Sequence, residues 1–160
     1  MVQDFHNSIT QASGILQRGG LVAYPTDTLY GLGADVFNEN AIEKLYRLKG
    51  RSPYEGVPVL IATLADIESL IGEIPQILEV FARVFWPGPL TIVLVKGSLV
   101  PDVVTGGQET IAIRMPDHPI PRAIIMEYGQ PITGTSANRS GGSDPLIAQD
   151  VRDQLGEQVD

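Results

Sequence analysis

Residues 133–142 read TGTSANRSGG; eight of the ten are small, and only Asn138 and Arg139 are larger. Small hydroxyl residues and glycines in a row bring the backbone close to whatever lies opposite. Their exposed N–H groups can form an anion-binding nest. KLYRLKGR, residues 44–51, packs Lys44, Arg47, Lys49 and Arg51 into eight residues of an otherwise acidic chain. Arg114 sits in an apolar, β-branched run, TIAIRM, where a charge needs a partner. Together with Thr26, Thr28, Thr110, Thr135, Ser136 and Asn138, the cations Lys49, Arg51 and Arg114 form a set of hydrogen-bond donors. Such a set suits phosphates and carboxylates, which Arg takes bidentately and Lys as a point charge. The chemistry it favours runs by positioning and charge stabilisation rather than by a protein nucleophile.

Several familiar alternatives fail. Gly31-Leu32-Gly33 has the first two glycines of a dinucleotide fingerprint, but Val36 stands where the third belongs. No glycine loop is followed by the Lys-Ser/Thr pair of a phosphate-binding P-loop. Gly134-Thr135-Ser136-Ala137 begins like a nucleophile elbow, but Asn138 replaces its closing glycine. The only histidines are His6, near the N-terminus, and His118, in a Pro-bounded turn where a solvated or backbone-bonded ring is expected rather than a base. No histidines or carboxylates have metal-cage spacing, so no protein-held metal is expected.

The elements that must position these donors alternate between helix and strand. Periodicity predicts helices over residues 8–18, 40–49 and 121–128, around 67–71, from Pro75 through Phe85, and over 146–155. Gly19-Gly20 and Gly50 read as stops, and Asn40 with Glu43 has capping-box spacing. Strands are predicted over 21–24, 57–62, 90–95, 110–115 and 131–133, with a hard break at Trp86-Pro87-Gly88-Pro89. Trp86 and Phe85 read as core, Tyr30 as packing, and Lys44 and Arg47 as a solvated helix face. The fold class is therefore a layered α/β domain with helices on a mostly buried sheet. Ligands in such sheets sit beyond the carboxyl ends of strands, and PTDTLYGLG, RMPDHP and GTSAN all follow predicted strands.

The chain has 160 residues, one domain by length, and a domain this size buries about 70% of its unfolded surface. Its net charge of −8 argues against broad nucleic-acid binding. Cysteine is absent, which excludes disulfides and thiolate chemistry. No apolar run approaches the ~20 residues of a membrane span, and the N-terminus has no signal-peptide pattern. A reducing cytoplasm is the expected location.

YPTDTLYGLGAD, LKGR, FWPGPLTIVL, IAIRMPDHP and TGTSANRSG, in this order and with these gaps, resemble the motif set of the YrdC/TsaC family, the threonylcarbamoyl-AMP synthases. The resemblance implies a YrdC/RibB-like fold, a twisted mixed sheet flanked by helices around an open concave groove. It implies a nucleotidyltransferase that joins L-threonine, bicarbonate and ATP into threonylcarbamoyladenylate and pyrophosphate, the first step of a tRNA modification. Downstream transfer enzymes would be the partners, and Mg²⁺ would arrive held by the ATP phosphates. On the family pattern, Lys49, Arg51, Ser136 and Asn138 would be catalytic and, with Thr110, ATP-binding. Thr28 and Arg114 would contact threonine.

Two departures qualify that pattern. Leu60 stands where many members carry a threonine-contacting histidine. The family also continues into a further segment after the position of Asp160, so residues 1–160 read as one domain lacking its C-terminal part. Direct tRNA binding is not expected. A nucleotide- or RNA-binding module of the YciO type, without turnover, is the alternative. A carbamoyl-adenylate domain like that of hydrogenase maturation proteins is a third, which threonine dependence separates from the first. Lys49→Ala and Ser136→Ala are expected to abolish turnover in chains that stay folded.

Overall fold

The computed structural model describes residues 2–160. The chain opens with α1 (Val2–Gln17), whose Ile9, Ala12 and Leu16 share the buried side. Gly19, at φ 73°, turns the chain into β1 (Val22–Tyr24). β2 follows at Gly31–Gly33, a strand that composition hides. Its glycines have a reason: a Cβ on Gly31 would lie 2.5 Å from the Tyr24 ring, and one on Gly33 2.8 Å from it. The buried tyrosine therefore excludes side chains from the strand beside it.

α2 (Glu39–Lys49) begins two residues before the expected capping box. Asn38, not Asn40, is the cap, and its Oδ1 accepts from the Ala41 N–H. Gly50 ends the helix in the left-handed region, as expected. The strand predicted over 57–62 shrinks to β3 (Val59–Leu60), and the helix expected around 67–71 is a 3-10 turn at Leu64–Ser69. α3 (Gln76–Phe85) packs through Leu78 and Ala82. Phe85 is 47% exposed, so the expectation of a core residue fails there, while Trp86 is buried. The helix carries an apolar stripe wider than the face the core accepts.

β4 (Ile92–Val95), a short α4 (Asp102–Thr105) and β5 (Thr110–Arg114) come next. The loop expected between those strands thus holds a helical turn. α5 (Pro119–Tyr128) is capped by His118, whose Nδ1 accepts from the Ile120 N–H, the backbone-bonded role expected of it. β6 (Ile132–Thr133), β7 (Thr135–Ser136) and α6 (Ala148–Leu155) complete the chain. Asp150 accepts from the Leu146 and Ile147 N–H groups and fixes the start of α6.

The strands form two sheets, not the single sheet expected. One is antiparallel in the order β1-β2-β7, and the other runs β4-β5-β3-β6 with β3 and β5 parallel. Thr133 joins them. Its Oγ donates to Leu32 O and accepts from the Ala34 N–H, and its carbonyl accepts from the buried Tyr24 hydroxyl. The larger core cluster, including Ile42, Leu45, Ile61, Ile111 and Ile113, lies between the second sheet and α2 to α4. A smaller one, including Leu16, Tyr24, Leu60, Ile125 and Ile132, lies under α1 and α5, which pack on each other. Residues of both sheets, Gly31, Thr135 and Ser136 from the first and Leu60 and Arg114 from the second, line one recess.

A cleft between two cationic corners

One corner is built on Lys49, the last residue of α2. Its side chain is buried, 2% exposed, and its Nζ donates to three oxygens: Ser136 O, Asn138 O at 2.6 Å and Asn138 Oδ1 at 3.3 Å. Asn138 then ties the turn to itself. Its Oδ1 accepts from Ser136 Oγ at 2.7 Å, and its Nδ2 donates to Gly142 O and Ser143 O at 3.1 Å each. The Ser140 N–H returns to Lys49 O at 2.8 Å. Small residues are needed for this fold-back. A Cβ on Gly134 would lie 2.6 Å from the Leu60 side chain, so only glycine passes there. Burial, and then the neighbouring Arg51 charge, lowers the Lys49 ammonium to about 8. Its three acceptors favour the charged form, which holds it cationic at neutral pH.

The other corner is built on Arg114, at the end of β5. Its Nε donates to Gly88 O at 3.0 Å, one terminal nitrogen to Thr28 Oγ at 3.2 Å, and the other to Asp27 Oδ1 at 2.5 Å. The arginine and aspartate side chains are 14% and 18% exposed. Thr26 shapes the turn that brings Asp27 and Thr28 there, its Oγ accepting from the Thr28 and Leu29 N–H groups. Thr26 is thus a turn cap, whereas Thr28 turns outward to the guanidinium.

Arg114 and Ser136 share a cleft of about 230 Å³, whose lining also includes Thr28, Pro58, Leu60 and Thr91; Lys49 and Asn138 lie behind Ser136, outside that lining. It is smaller than the ~300–1,000 Å³ of sites for drug-sized ligands and suits a small polar molecule. Ser136 and Gly31 are strand partners across β7 and β2, which places the serine corner against the first sheet.

The sequence-predicted residues fall into three groups. Lys49, Ser136 and Asn138 form one hydrogen-bonded unit, which reaches the cleft through Ser136 alone, and Thr28 and Arg114 form another that lines it directly. Thr110 stands apart. It is exposed at the start of β5, paired with Val95, and roughly 13 Å along the strand from Arg114 by strand rise. Arg51 also lies outside the cleft. It donates to Glu55 O and Gly56 O, and lines a separate recess of about 390 Å³ with Tyr46 and Val103. The residue that sequence reasoning missed is Asp27. It stands in the quoted YPTDTLYGLGAD motif, but nothing local connects it to Arg114, 87 positions away.

An α/β domain of two cornered sheets, with a donor-lined cleft at the strand ends, is the class that fold and site define. The chain belongs to the Sua5/YciO/YrdC family, whose model, described as telomere recombination, matches residues 14–160. It is 44% identical over 144 residues to a threonylcarbamoyl-AMP synthase of Pyrococcus abyssi, covering 90% of this chain and 42% of that protein. It is 37% identical to a threonylcarbamoyl-AMP synthase of Vibrio vulnificus, covering 96% and 83%. A crystal structure of P. abyssi Sua5 complexed with L-threonine superposes with a TM-score of 0.92 at 42% identity, covering 95% of this chain and 45% of that one. The chain thus spans less than half the length of the Pyrococcus relative. No helix among the described residues is long and apolar enough to cross a membrane.

Proposed function

We propose that the chain carries the threonylcarbamoyl-AMP synthase reaction, a nucleotidyl transfer. The threonine amine attacks bicarbonate; a C–N bond forms and water leaves, giving a carbamate. A carbamate oxygen then attacks the α-phosphorus of Mg-ATP. The bond from that phosphorus to the bridging oxygen breaks, and pyrophosphate departs. The observation that carries this reading is the cleft itself: a guanidinium and two hydroxyls converge on a volume suited to an amino acid. The P. abyssi relative, 42% identical and of the same fold, holds L-threonine.

In this reading Arg114 and Thr28 seat the threonine carboxylate, and Ser136 Oγ faces the reacting groups. Lys49 and Asn138 set the turn from which N–H groups and Ser136 approach the phosphates. Arg51 leaves its Glu55 and Gly56 carbonyls to meet the triphosphate, with Thr110 farther out along the nucleotide. Mg²⁺ stays on the phosphates, and the product passes to tRNA-modifying transfer enzymes in the cytoplasm. Pyrophosphate release by the purified chain, with Mg-ATP and bicarbonate, is expected only when L-threonine is present. Release without threonine, or none from folded chain, defeats the proposal. The turned-away Arg51 favours the second reading, a module that binds without turnover. Threonine binding without pyrophosphate release selects it.

A further inference from the structure

Arg114 is the cation at the cleft whose partners a ligand can replace. Its neighbours in charge are committed elsewhere: Lys49 to the oxygens of Ser136 and Asn138, and Arg51 to Glu55 and Gly56. The face that Arg114 turns toward the 26–28 turn is taken by Asp27 Oδ1 at 2.5 Å and Thr28 Oγ at 3.2 Å. Asp27 thus already presents a carboxylate where an incoming carboxylate would bind. Both side chains are largely shielded from water, so displacing the aspartate strands a charge unless it finds a new cation.

We infer that Asp27 is a specificity-determining residue: its carboxylate occupies Arg114 at the cleft, and only a ligand bringing both a carboxylate and a cationic group exchanges with it cleanly. An α-amino acid does so by a swap of partners. Its carboxylate takes Arg114 and its ammonium takes Asp27, so no charge is left alone. A ligand with the carboxylate only must leave Asp27 unpaired, and is rejected even where its shape fits. The inference rests on the reading of Arg114 as the seat of the amino acid carboxylate.

Calorimetric or NMR titration of the full chain with L-threonine and with 3-hydroxybutanoate, which is threonine without its amino group, tests this. Asp27→Asn is close to isosteric and keeps the turn; Asp27→Ala removes the carbonyl oxygen as well, provided it folds. Both variants are expected to bind 3-hydroxybutanoate about tenfold or more tightly than the parent, because the competing carboxylate is gone. The preference for threonine over 3-hydroxybutanoate should fall by at least the same factor. Unchanged or weaker binding of 3-hydroxybutanoate in Asp27→Asn overturns the inference, as does a parent chain that binds the two ligands equally. A gain in Asp27→Asn without threonine-dependent pyrophosphate release keeps the inference and removes the synthase reading. Release without the gain does the reverse.

Discussion

Arg114 lines the cleft and Lys49 lies buried behind Ser136, which lines it too, and the two cations differ in what holds them. The lysine is buried under three oxygens of a single turn, two of them main-chain carbonyls. Those acceptors hold the cation behind the turn, so it supports the wall that Ser136 presents rather than facing the cleft itself. The arginine is held by a carboxylate, a hydroxyl and one carbonyl, and the carboxylate and hydroxyl stand on one mobile-length side chain each. Those partners can be traded for a ligand. A positive charge fixed by backbone builds a site, whereas one held by side chains at its mouth selects what enters. The same chain holds one cation in each of these ways, with two residues that composition alone treats as equivalent.

The largest separation between the corners should come from deleting each cation. Lys49→Ala strands the carbonyls of Ser136 and Asn138 and frees the turn around them. It is expected to lower threonine-dependent pyrophosphate release by about 10² or more and to cost about 1–3 kcal/mol of stability for each acceptor left buried and unpaired. Arg114→Ala should remove threonine binding and also cost stability, since it leaves the shielded Asp27 carboxylate unpaired; with one group stranded against three oxygens for Lys49→Ala, its loss should be the smaller. Urea denaturation of both variants checks this, and a larger stability loss for Arg114→Ala would reverse the comparison. The variant Lys49→Ala is therefore not expected to stay as firmly folded as the sequence pattern implied.

Ser136→Ala sharpens the first corner from within. It removes one hydrogen bond, Ser136 Oγ to Asn138 Oδ1, yet Asn138 Oδ1 keeps the Lys49 ammonium. Stability should fall by only about 1 kcal/mol, while turnover falls by about 10² if Ser136 faces the reacting groups. Equal turnover in Ser136→Ala and the parent would assign the serine to the turn alone.

The sequence made some of this legible. The apolar rhythm and Gly50 stop of α2 placed Lys49 at a helix end, and the β-branched run before Arg114 placed that charge at a strand end. β2 and β7 were hidden, because Gly31 and Gly33 are strand residues only where the Tyr24 ring lies against them. Phe85 misled because the apolar stripe of α3 exceeds the core it meets. Arg51 read as a site partner of Lys49 on the family pattern; here the left-handed Gly50 sends the chain into a loop whose own carbonyls hold the guanidinium. Asp27 was invisible as a partner of Arg114 because it follows a strand of one sheet while Arg114 ends a strand of the other, and only the packing of the two sheets brings them together.

Gly134→Ala tests whether the cleft wall is as tight as the first corner requires. The added methyl would meet the Leu60 side chain at 2.6 Å, and Leu60 also lines the cleft. The expected cost is about 1–3 kcal/mol of overpacking, with weaker threonine binding as Leu60 is pushed inward. Leu60→Ala added to the same chain should recover part of the loss, since neighbours that share one space are not additive. A strictly additive double variant, measured by urea denaturation and threonine titration, would show that Leu60 is not what the methyl meets.

The smallest effect is a pH dependence that belongs to Lys49. In the unfolded chain its ammonium keeps its proton to about 10.5, and in the folded chain burial lets it go near 8. Between those values the unfolded state binds more protons, so stability rises with pH. The rise should be on the order of 1 kcal/mol between pH 8 and 9.5, as neutralisation removes the cost of a buried charge. The window closes near pH 10. Tyr24 and Tyr46, held protonated chiefly by burial, begin to ionise there in the unfolded chain and reverse the trend. Urea midpoints of the parent chain across this window should climb, while those of Lys49→Met, which keeps the stem and loses the charge, should stay flat. Parallel curves for parent and Lys49→Met would mean that the three oxygens cancel the effect of burial altogether, which would make the lysine corner as tolerant of charge as the arginine one.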